Sequence, residues 1–329
     1  MLASRHEGTG WDPKAPASVH SCRGGIDKDG NVVAYEFISK AFDRQNVRSN
    51  ESKPRDNLAG QALGVKLNPR KFFSEPDNIY DVPDYKLGWK VIPPFLKRNS
   101  PLRTSHLRDP IGPQIQFASE QFQDELAETA GMDPVEYRLK YLRTQRDRDA
   151  ITAVAKKAGW KSRVGPRKGQ KSKNVVTGRG IAYARRSGSF VAVISEVEVD
   201  KRTGRIWPKK FTVSHDCGLI INPDGLTRCV HGNVGMALSR ALYEEVMFSP
   251  DAVTSVDWES YPIAESPDTP ETIDVVLINR PDKPAMGAGE PSTRPVAAAM
   301  ANAFYDATGV RLRTAPMTPA RVKAALAKG

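Results

Sequence analysis

The sequence predicts an α+β protein in which mixed sheets pack against helices. Strand patterns and helical patterns follow one another along the chain without the regular strand–helix–strand rhythm of a parallel sheet. The 329 residues suffice for roughly two domains. A content of 39% hydrophobic and 26% charged residues is typical of a soluble globular protein.

The first predicted element is a β-hairpin near the start of the chain. Asp29-Gly30 is a turn dipeptide, and it lies between Ile26 and an alternating run from Val32 to Ile38. A two-residue Asp-Gly turn flanked by alternating apolar residues is a strong short-range signal for two antiparallel strands.

A second hairpin is predicted in the middle of the chain. Its first strand is the alternating run from Val191 to Val199, its turn is Thr203-Gly204, and its second strand runs from Arg205 to Val213. Pro208 lies inside the second strand and lacks the N–H that a strand donates, so this strand is either an edge strand or bulged.

Helices are predicted from apolar residues that recur every three or four positions, together with capping signals. Four such segments are Ile115–Ala130, a helix opened by Asp133 and Pro134, Leu226–Val246, and Thr318–Lys328, which Thr318 caps.

The segment GAGEPSTRPVAAAMANAFYDATG, residues 287–309, predicts a glycine-rich loop followed by a helix. Gly287 and Gly289 permit positive φ and close backbone approach. The helix begins near Val296, because small and apolar residues follow at helical spacing, and Gly309 ends it. Glu290 therefore lies in a tight loop just before a helix. It is either a solvated loop carboxylate or one that an unusual backbone holds in a pocket, and composition does not distinguish these alternatives.

The net charge of +11 favours acidic partners or anionic ligands. Much of the excess lies in a Lys-, Gly- and Ser-rich stretch, and we predict a basic linker at 156–178 between units at 1–155 and 179–329. Nucleic-acid binding is the competing interpretation, but only Trp160 offers a stacking ring there and no nucleic-acid motif is present.

The cysteines and histidines support no metal framework. Cys22, Cys217 and Cys229 form no C-x-x-C pair, and the five histidines show no H-E-x-x-H spacing. No apolar run approaches the ~20 residues that a membrane span requires. We therefore predict no protein-ligated metal and no membrane span, and we expect the cytoplasm, with the periplasm left open because the native N-terminus is expected upstream.

Three long segments, taken in order, resemble one family. They begin at His106 (HLRDPIGPQIQFASEQF), at Ser195 (SEVEVDKRTGRIWPKKFTVSHDCGLIINPDGL) and at Gly287 (GAGEP and its helix). In this order they are similar to the molybdopterin-binding large subunit of the xanthine dehydrogenase and aldehyde oxidase family, of the bacterial isoquinoline 1-oxidoreductase type. The resemblance covers nearly the whole chain and implies two subdomains of a molybdenum-cofactor-binding domain.

The resemblance gives the glycine-rich loop a role. The family's Gly-Glu-Pro glutamate is the active-site base beside molybdenum, which implies that Glu290 is the catalytic base. A carboxylate buried beside an anionic cofactor is expected to have a raised pKa, which suits a base near neutral pH.

The same resemblance implies a set of cofactor-binding residues. They are Arg108, Gly112 and Gln114 in the first segment, Asp216, Cys217 and Gly218 in the second, and Gly287 and Gly289 in the third. A guanidinium near pterin oxygens or phosphate is physically sensible, although Arg108 pairing with a nearby carboxylate is an equal alternative. Cys217 is expected to pack in the interior rather than to react.

The resemblance also implies partners. The family's large subunit is about twice as long, so we expect this chain to correspond to its C-terminal half and to require the N-terminal half. The expected cofactor is molybdopterin cytosine dinucleotide. A small subunit would carry [2Fe–2S] clusters, pass electrons to a downstream acceptor, and leave this chain to act on a small aldehyde or N-heterocycle. The alternative is a degenerate, non-catalytic relative that serves as a scaffold or assembly partner.

Overall fold

The computed structural model describes residues 4–43, 53–56, 59–60, 63–65, 79–92, 102, 104–169 and 174–328. Within these ranges helices pack against two sheets, which confirms the predicted α+β class. The strands are β1 Ser18–Ile26, β2 Val32–Phe42, β3 Asp84–Ile92, β4 Val175–Arg186, β5 Ser189–Asp200, β6 Arg205–Asp216 and β7 Thr272–Leu277. The helices are α1 Arg5–Trp11, α2 Gly112–Thr129, α3 Pro134–Tyr141, α4 Gln145–Ala158, α5 Pro223–Leu242, α6 Val296–Thr308 and α7 Pro319–Leu326.

The smaller sheet has the order β1-β2-β3. Strands β1 and β2 are antiparallel, and β3 runs parallel to β2. Gly30 has a φ of +78°, which is the left-handed conformation that the connecting turn requires. The first predicted hairpin is therefore confirmed.

The larger sheet has the order β4-β5-β6-β7 and contains the second predicted hairpin as β5 and β6. The register shifts between Glu196 and Val197, where Val197 lies opposite Pro208. Because β6 also pairs with β7, it is not an edge strand. The bulge is thus the correct one of the two alternatives for Pro208.

Helix α6 lies directly on β4 because both surfaces are small. A Cβ added to Gly178 would come within 2.1 Å of the Ala303 carbonyl oxygen, and one added to Gly180 within 2.2 Å of the Ala303 nitrogen. Met300 and Phe304 of α6 are fully buried. The alanine-rich stretch after Glu290 therefore forms a helix whose backbone can approach the sheet closely.

The predicted helices are confirmed, with shifted ends. Helix α2 begins three residues before the predicted start, and α5 ends four residues before the predicted end. Asp133 caps α3 by accepting hydrogen bonds from the N–H groups of Val135 and Glu136, and Thr318 caps α7 through the N–H of Arg321. Helix α6 ends at Gly309, whose φ is +73°.

The predicted basic linker is bound to the folded core at two places: Asp133 accepts hydrogen bonds from Trp160 and Arg163, and Asp306 holds the second part. Asp306 of α6, which is fully buried, accepts hydrogen bonds from the N–H groups of Arg167 and Arg179 at 3.0 and 2.7 Å. Its carboxylate also lies 3.3 Å from the guanidinium groups of both Arg163 and Arg167. Residues 170–173 of the linker lie outside the described ranges, and the division into units at 1–155 and 179–329 stays a prediction.

Candidate active site

Glu290 lies just before a short 3₁₀ turn, Pro291–Thr293, that precedes α6, and three N–H donors hold its carboxylate. Its Oε1 accepts a hydrogen bond from the Asp109 N–H at 3.0 Å. Its Oε2 accepts two from Arg186, one from Nε at 2.9 Å and one from Nη2 at 2.6 Å. The side chains of Glu290 and Arg186 are each 33% exposed. Of the two alternatives that the sequence leaves open, the structure has the carboxylate fixed rather than freely solvated.

A buried ion pair between Asp109 and Arg294 lies next to Glu290 and fixes the backbone that holds it. Asp109 has a φ of +52°, which is unusual for a residue with a side chain, and its carboxylate is buried. Arg294 binds it through Nε at 2.8 Å from Oδ2 and through Nη2 at 2.9 Å from Oδ1. Arg294 also donates to the Arg185 carbonyl at 3.0 Å. The pair therefore ties the backbone before α2 to the end of β4 and to the turn after Glu290.

Gly112 makes room for this ion pair. A Cβ at Gly112 would lie 2.2 Å from Asp109 Oδ2 and 2.4 Å from Arg294 Nε, so no other residue fits without displacing the pair. The resemblance implies that Gly112 contacts a cofactor, and that role stays a prediction. The space that the Asp109–Arg294 pair needs is a structural reason for glycine at position 112.

The pKa of Glu290 in this chain lies below its usual value, whereas the raised pKa expected beside an anionic cofactor stays a prediction. Partial burial raises the pKa, but the hydrogen bonds from the Asp109 N–H and from Arg186, together with the positive charges of Arg186 and Arg294, outweigh it. The expectation considered only desolvation and an anionic neighbour, and it missed the cation from β4. The pKa of Asp109 is raised, because its burial outweighs the opposing effect of Arg294.

Gly287 and Gly289 have open space beside them. A Cβ added to either residue would meet no atom within 4 Å. Neither has a positive φ, so the backbone freedom that glycine permits is not used at these two positions. The Gly287 carbonyl accepts a hydrogen bond from Ser189 Oγ at 2.9 Å, which fixes the loop to the start of β5. The two glycines leave an uncovered stretch of backbone next to Glu290.

Arg108 is exposed and reaches the same loop through Asn233. Its Nη1 lies 3.3 Å from Asn233 Oδ1, and Asn233 Nδ2 donates to the Ala288 carbonyl at 3.0 Å and to Ser292 Oγ at 2.9 Å. Asn233 itself is fully buried. No carboxylate within the described ranges pairs with Arg108, so the alternative of a neighbouring carboxylate is not what the structure has there.

Gln114 lies in the first turn of α2 with its amide only half used. Its Nε2 donates to the Pro110 carbonyl at 3.1 Å and to the Pro16 carbonyl at 3.3 Å. Its Oε1 is buried and has no hydrogen-bond partner in the described part of the chain. A buried acceptor without a donor is uncommon and marks a place where a further group would be favourable.

The loop at Asp216, Cys217 and Gly218 is fastened to the residues before Gly287. The Cys217 carbonyl accepts from the Met286 N–H at 2.8 Å, and the Gly218 carbonyl from the Arg280 N–H at 3.0 Å. Gly218 has a φ of +81°, and a Cβ there would lie 2.0 Å from the Pro284 carbonyl oxygen. The loop thus sets the position of the glycine-rich segment.

Asp216 is saturated by protein donors. Its carboxylate accepts from Arg146 at 2.5 and 3.0 Å, from Arg280 at 3.1 Å and from the Gly218 N–H at 3.0 Å. Burial raises the pKa of Asp216, but these donors lower it by more, so the pKa lies below its usual value. Cys217 is buried, as expected. A direct contact from Asp216 to a cofactor stays a prediction.

The sequence reasoning missed several residues of this site, namely Asp109, Arg186, Arg294 and, as a bridging group, Asn233. Arg186 is the second of two consecutive arginines at the end of a strand, just before the Ser187-Gly188 turn. Charged residues placed where a strand ends are a usable signal for a site, but the strand itself was not predicted.

Comparisons with known proteins agree on one family. A family model described as a molybdopterin cofactor-binding domain matches residues 109–270. One of the subunits of nicotinate dehydrogenase from Pseudomonas putida is 37% identical over 96% of this chain, and the beta chain of isoquinoline 1-oxidoreductase from Brevundimonas diminuta is 29% identical over 63% of it. The aldehyde oxidoreductase of Desulfovibrio gigas has a similar fold, with a TM-score of 0.74 and 17% identity over 99% of this chain.

The chain corresponds to part of each of these proteins. It spans 26% of the length of both curated relatives and 51% of the length of the Desulfovibrio gigas chain. Among the described residues, no helix has both the length and the apolar character needed to cross a membrane.

Proposed function

This chain belongs to the molybdopterin-binding subunits of the xanthine dehydrogenase family, and on that premise we propose that it forms part of a molybdenum hydroxylase. The proposed reaction is the oxidative hydroxylation of an electron-poor carbon in an aldehyde or an N-heteroaromatic compound, with oxygen derived from water. The names of the relatives support this substrate class, since they include a nicotinate dehydrogenase and an isoquinoline oxidoreductase.

The residues around Glu290 fit the expected cofactor. The open backbone at Gly287 and Gly289 would admit it closely, the exposed guanidinium of Arg108 would bind its anionic groups, and the unpartnered Oε1 of Gln114 would accept a hydrogen bond from it. We propose the cytosine dinucleotide form. When bound, the cofactor supplies a molybdenum centre that takes up the two electrons released on oxidation of the substrate carbon.

The observation that carries the proposal is the carboxylate of Glu290, which three N–H donors hold beside uncovered backbone. A general base must be unprotonated and must reach the atom whose proton it takes. The donors of Arg186 and Asp109 favour the ionised form of Glu290, while a third of its side chain stays exposed and the nearby Gly287 and Gly289 leave the backbone uncovered. We therefore propose that Glu290 is the base of the reaction.

We further propose that the remaining parts of the enzyme lie on other polypeptide segments. An N-terminal half of the molybdopterin-binding subunit would complete the cofactor site, and a small subunit with [2Fe–2S] clusters would carry electrons to a downstream acceptor. The comparison with the longer relatives supports this, because the chain spans only a part of them.

The test is Glu290→Gln in the assembled, molybdenum-loaded enzyme. The amide keeps the shape and removes the base, so turnover should fall by ~10²–10⁴-fold while molybdenum content stays unchanged. The exposed Glu259→Gln is the matched control and should leave turnover unaltered. Near-normal turnover of Glu290→Gln at full molybdenum content would overturn the assignment. An assembled wild-type protein without molybdenum would indicate the non-catalytic alternative.

A further inference from the structure

Arg186 holds the carboxylate that the proposed reaction uses, yet no motif assigns it a role. We propose that Arg186 is a positioning residue that keeps Glu290 ionised and turned so that Oε1 is the atom that accepts the proton. This inference rests on the proposed function, because it concerns the same base. It follows from the geometry of the contact and from the distribution of charge around it.

The contact is asymmetric between the two carboxylate oxygens. Arg186 places Nε and Nη2 on the same oxygen, Oε2, at 2.9 and 2.6 Å. Oε1 receives a single N–H, that of Asp109, at 3.0 Å. Each carboxylate oxygen has two lone pairs, so Oε2 is filled and Oε1 retains one. The free lone pair, and hence the capacity to take a proton, is on Oε1.

The charges that face Glu290 come from three elements. Arg186 at the end of β4 contributes one cation, Arg294 in the turn after Glu290 a second, and Asp109 before α2 one anion. Helix α5 contributes Asn233, a neutral amide, and Cys229, whose Sγ contacts the Ala288 carbonyl at 3.4 Å. Arg294 binds Asp109 through both Nε and Nη2, and it acts on Glu290 without touching it. Arg186 lies 3.8 Å from Asp109 Oδ1 and is the cation that contacts Glu290 directly.

The contact with Arg186 opposes the effect that an anionic cofactor would have on the protonation of Glu290. An anionic cofactor beside a half-buried carboxylate would raise its pKa and favour the protonated form, which cannot act as a base. A guanidinium in direct contact opposes that effect and stays charged at all relevant pH values. A positive side chain at this position therefore maintains the base in its active form when the cofactor is bound.

The test measures the protonation of Glu290 without relying on turnover. A water-soluble carbodiimide modifies protonated carboxyl groups, so the pH dependence of labelling at Glu290, read by peptide mass spectrometry on the full chain, gives its titration midpoint. We expect Arg186→Gln to raise this midpoint by about 0.5 pH units, because the pair is partly exposed and solvent weakens its effect. Arg186→Lys should restore most of the shift, because it returns the charge without the two-point contact.

The matched control is Arg205→Gln, which also removes one positive charge. Arg205 pairs with Asp268, is 52% exposed, and lies at the other end of β6 from Asp216. It should leave the Glu290 midpoint unchanged. A midpoint in Arg186→Gln that equals the wild-type midpoint would overturn the inference. A role of Arg186 in stability alone would lower the melting temperature and leave the midpoint where it is.

The assembled enzyme separates this inference from the proposed function. If Glu290 is the base, the acid limb of the pH–rate profile moves to higher pH in Arg186→Gln, because a raised pKa requires a higher pH for ionisation. A shifted labelling midpoint combined with normal turnover of Glu290→Gln would support the coupling to Arg186 and overturn Glu290 as the base.

Discussion

Two arginine–carboxylate clusters in this protein contain the same chemical groups but differ in their exposure to solvent. In the Arg138 cluster, formed by Arg138, Glu120 and Asp124, the paired side chains of Arg138 and Glu120 are both fully buried. In the Glu290 cluster, formed by Glu290, Arg186, Asp109 and Arg294, the outer pair is 33% exposed on each side. One cluster is closed within the fold and the other opens to solvent.

The closed cluster has its hydrogen bonds satisfied by the protein. Arg138 donates to Glu120 Oε2 at 3.1 Å, to Asp124 Oδ1 at 3.0 Å, and to the carbonyls of Pro134 and Glu120 at 3.1 Å. Glu120 also accepts from the Tyr183 N–H at 2.8 Å. The number of donors does not distinguish the two carboxylates, because each has one oxygen with a single donor, the Tyr80 hydroxyl for Glu120 and the Asp109 N–H for Glu290. The clusters differ in access: Glu120 is fully buried, whereas Glu290 is 33% exposed and therefore remains available for chemistry.

The largest stability effect that would test this comparison is expected in the closed cluster. Arg138→Met should lower the free energy of unfolding by about 3–5 kcal/mol, because it leaves Glu120 buried without its cation and Asp124 with only the more distant Arg311. Urea denaturation of the purified chain measures this loss. A loss below about 1 kcal/mol would mean that the closed cluster relaxes to admit water, and the contrast between the clusters would not hold.

The second effect concerns the support beneath Glu290. Gly112→Ala should destabilise the chain by about 1–3 kcal/mol, since its Cβ would overlap the Asp109–Arg294 pair and force it apart. Gly289→Ala is the matched control, because its Cβ meets open space, and it should change stability by less than about 0.5 kcal/mol. Thermal unfolding of both variants decides the point. Equal effects would show that the pair tolerates displacement.

A smaller effect is expected from the open pair itself. Arg186→Gln should cost less than about 1 kcal/mol of folding stability, because half-exposed ion pairs contribute little. The stabilising contribution of this ion pair depends on pH. Since the folded state lowers the pKa of Glu290, its stabilisation is present above the unfolded pKa and is lost as the pH falls through the folded pKa. Wild type and Arg186→Gln should therefore converge in stability at low pH. A difference that widens there would contradict this sign.

The smallest expected effect is a change in the rate of proteolysis near Asp306. This residue is a buried carboxylate whose arginine partners are partly exposed. We predict that limited proteolysis cuts first within Lys161–Lys173, the predicted linker, part of which lies outside the described residues. Arg167→Gln removes one side-chain ion pair with Asp306, and should speed that cleavage by no more than about fivefold, which corresponds to about 1 kcal/mol. Arg148→Gln, which lies in α4 outside the linker, serves as the control. Initial cleavage elsewhere would count against the linker.

Local signals in the sequence predicted much of the fold correctly. Asp29-Gly30 gave the first hairpin, Asp133 and Thr318 gave helix starts, and Gly309 gave a helix end, because each signal acts through the backbone of its own few residues. The same kind of signal was present but unused at α4, where Thr144 and Asp147 form a capping box. Strands β4 and β7 were missed because β4 is buried against two layers and lacks alternation, and β7 is a short strand completed only by pairing with β6.

The sequence by itself therefore determined the hairpins, the caps, the alanine-rich helix and the position of Glu290 in a loop before that helix. Only the tertiary structure decided what surrounds Glu290. Its partners Arg186 and Asp109 lie 104 and 181 residues away along the chain. Their approach depends on β4 packing beneath α6 and on Gly112 leaving room for Asp109 and Arg294. These partners lower the pKa of Glu290 in this chain, because a pKa is set by charges that are near in space, whatever their separation along the chain.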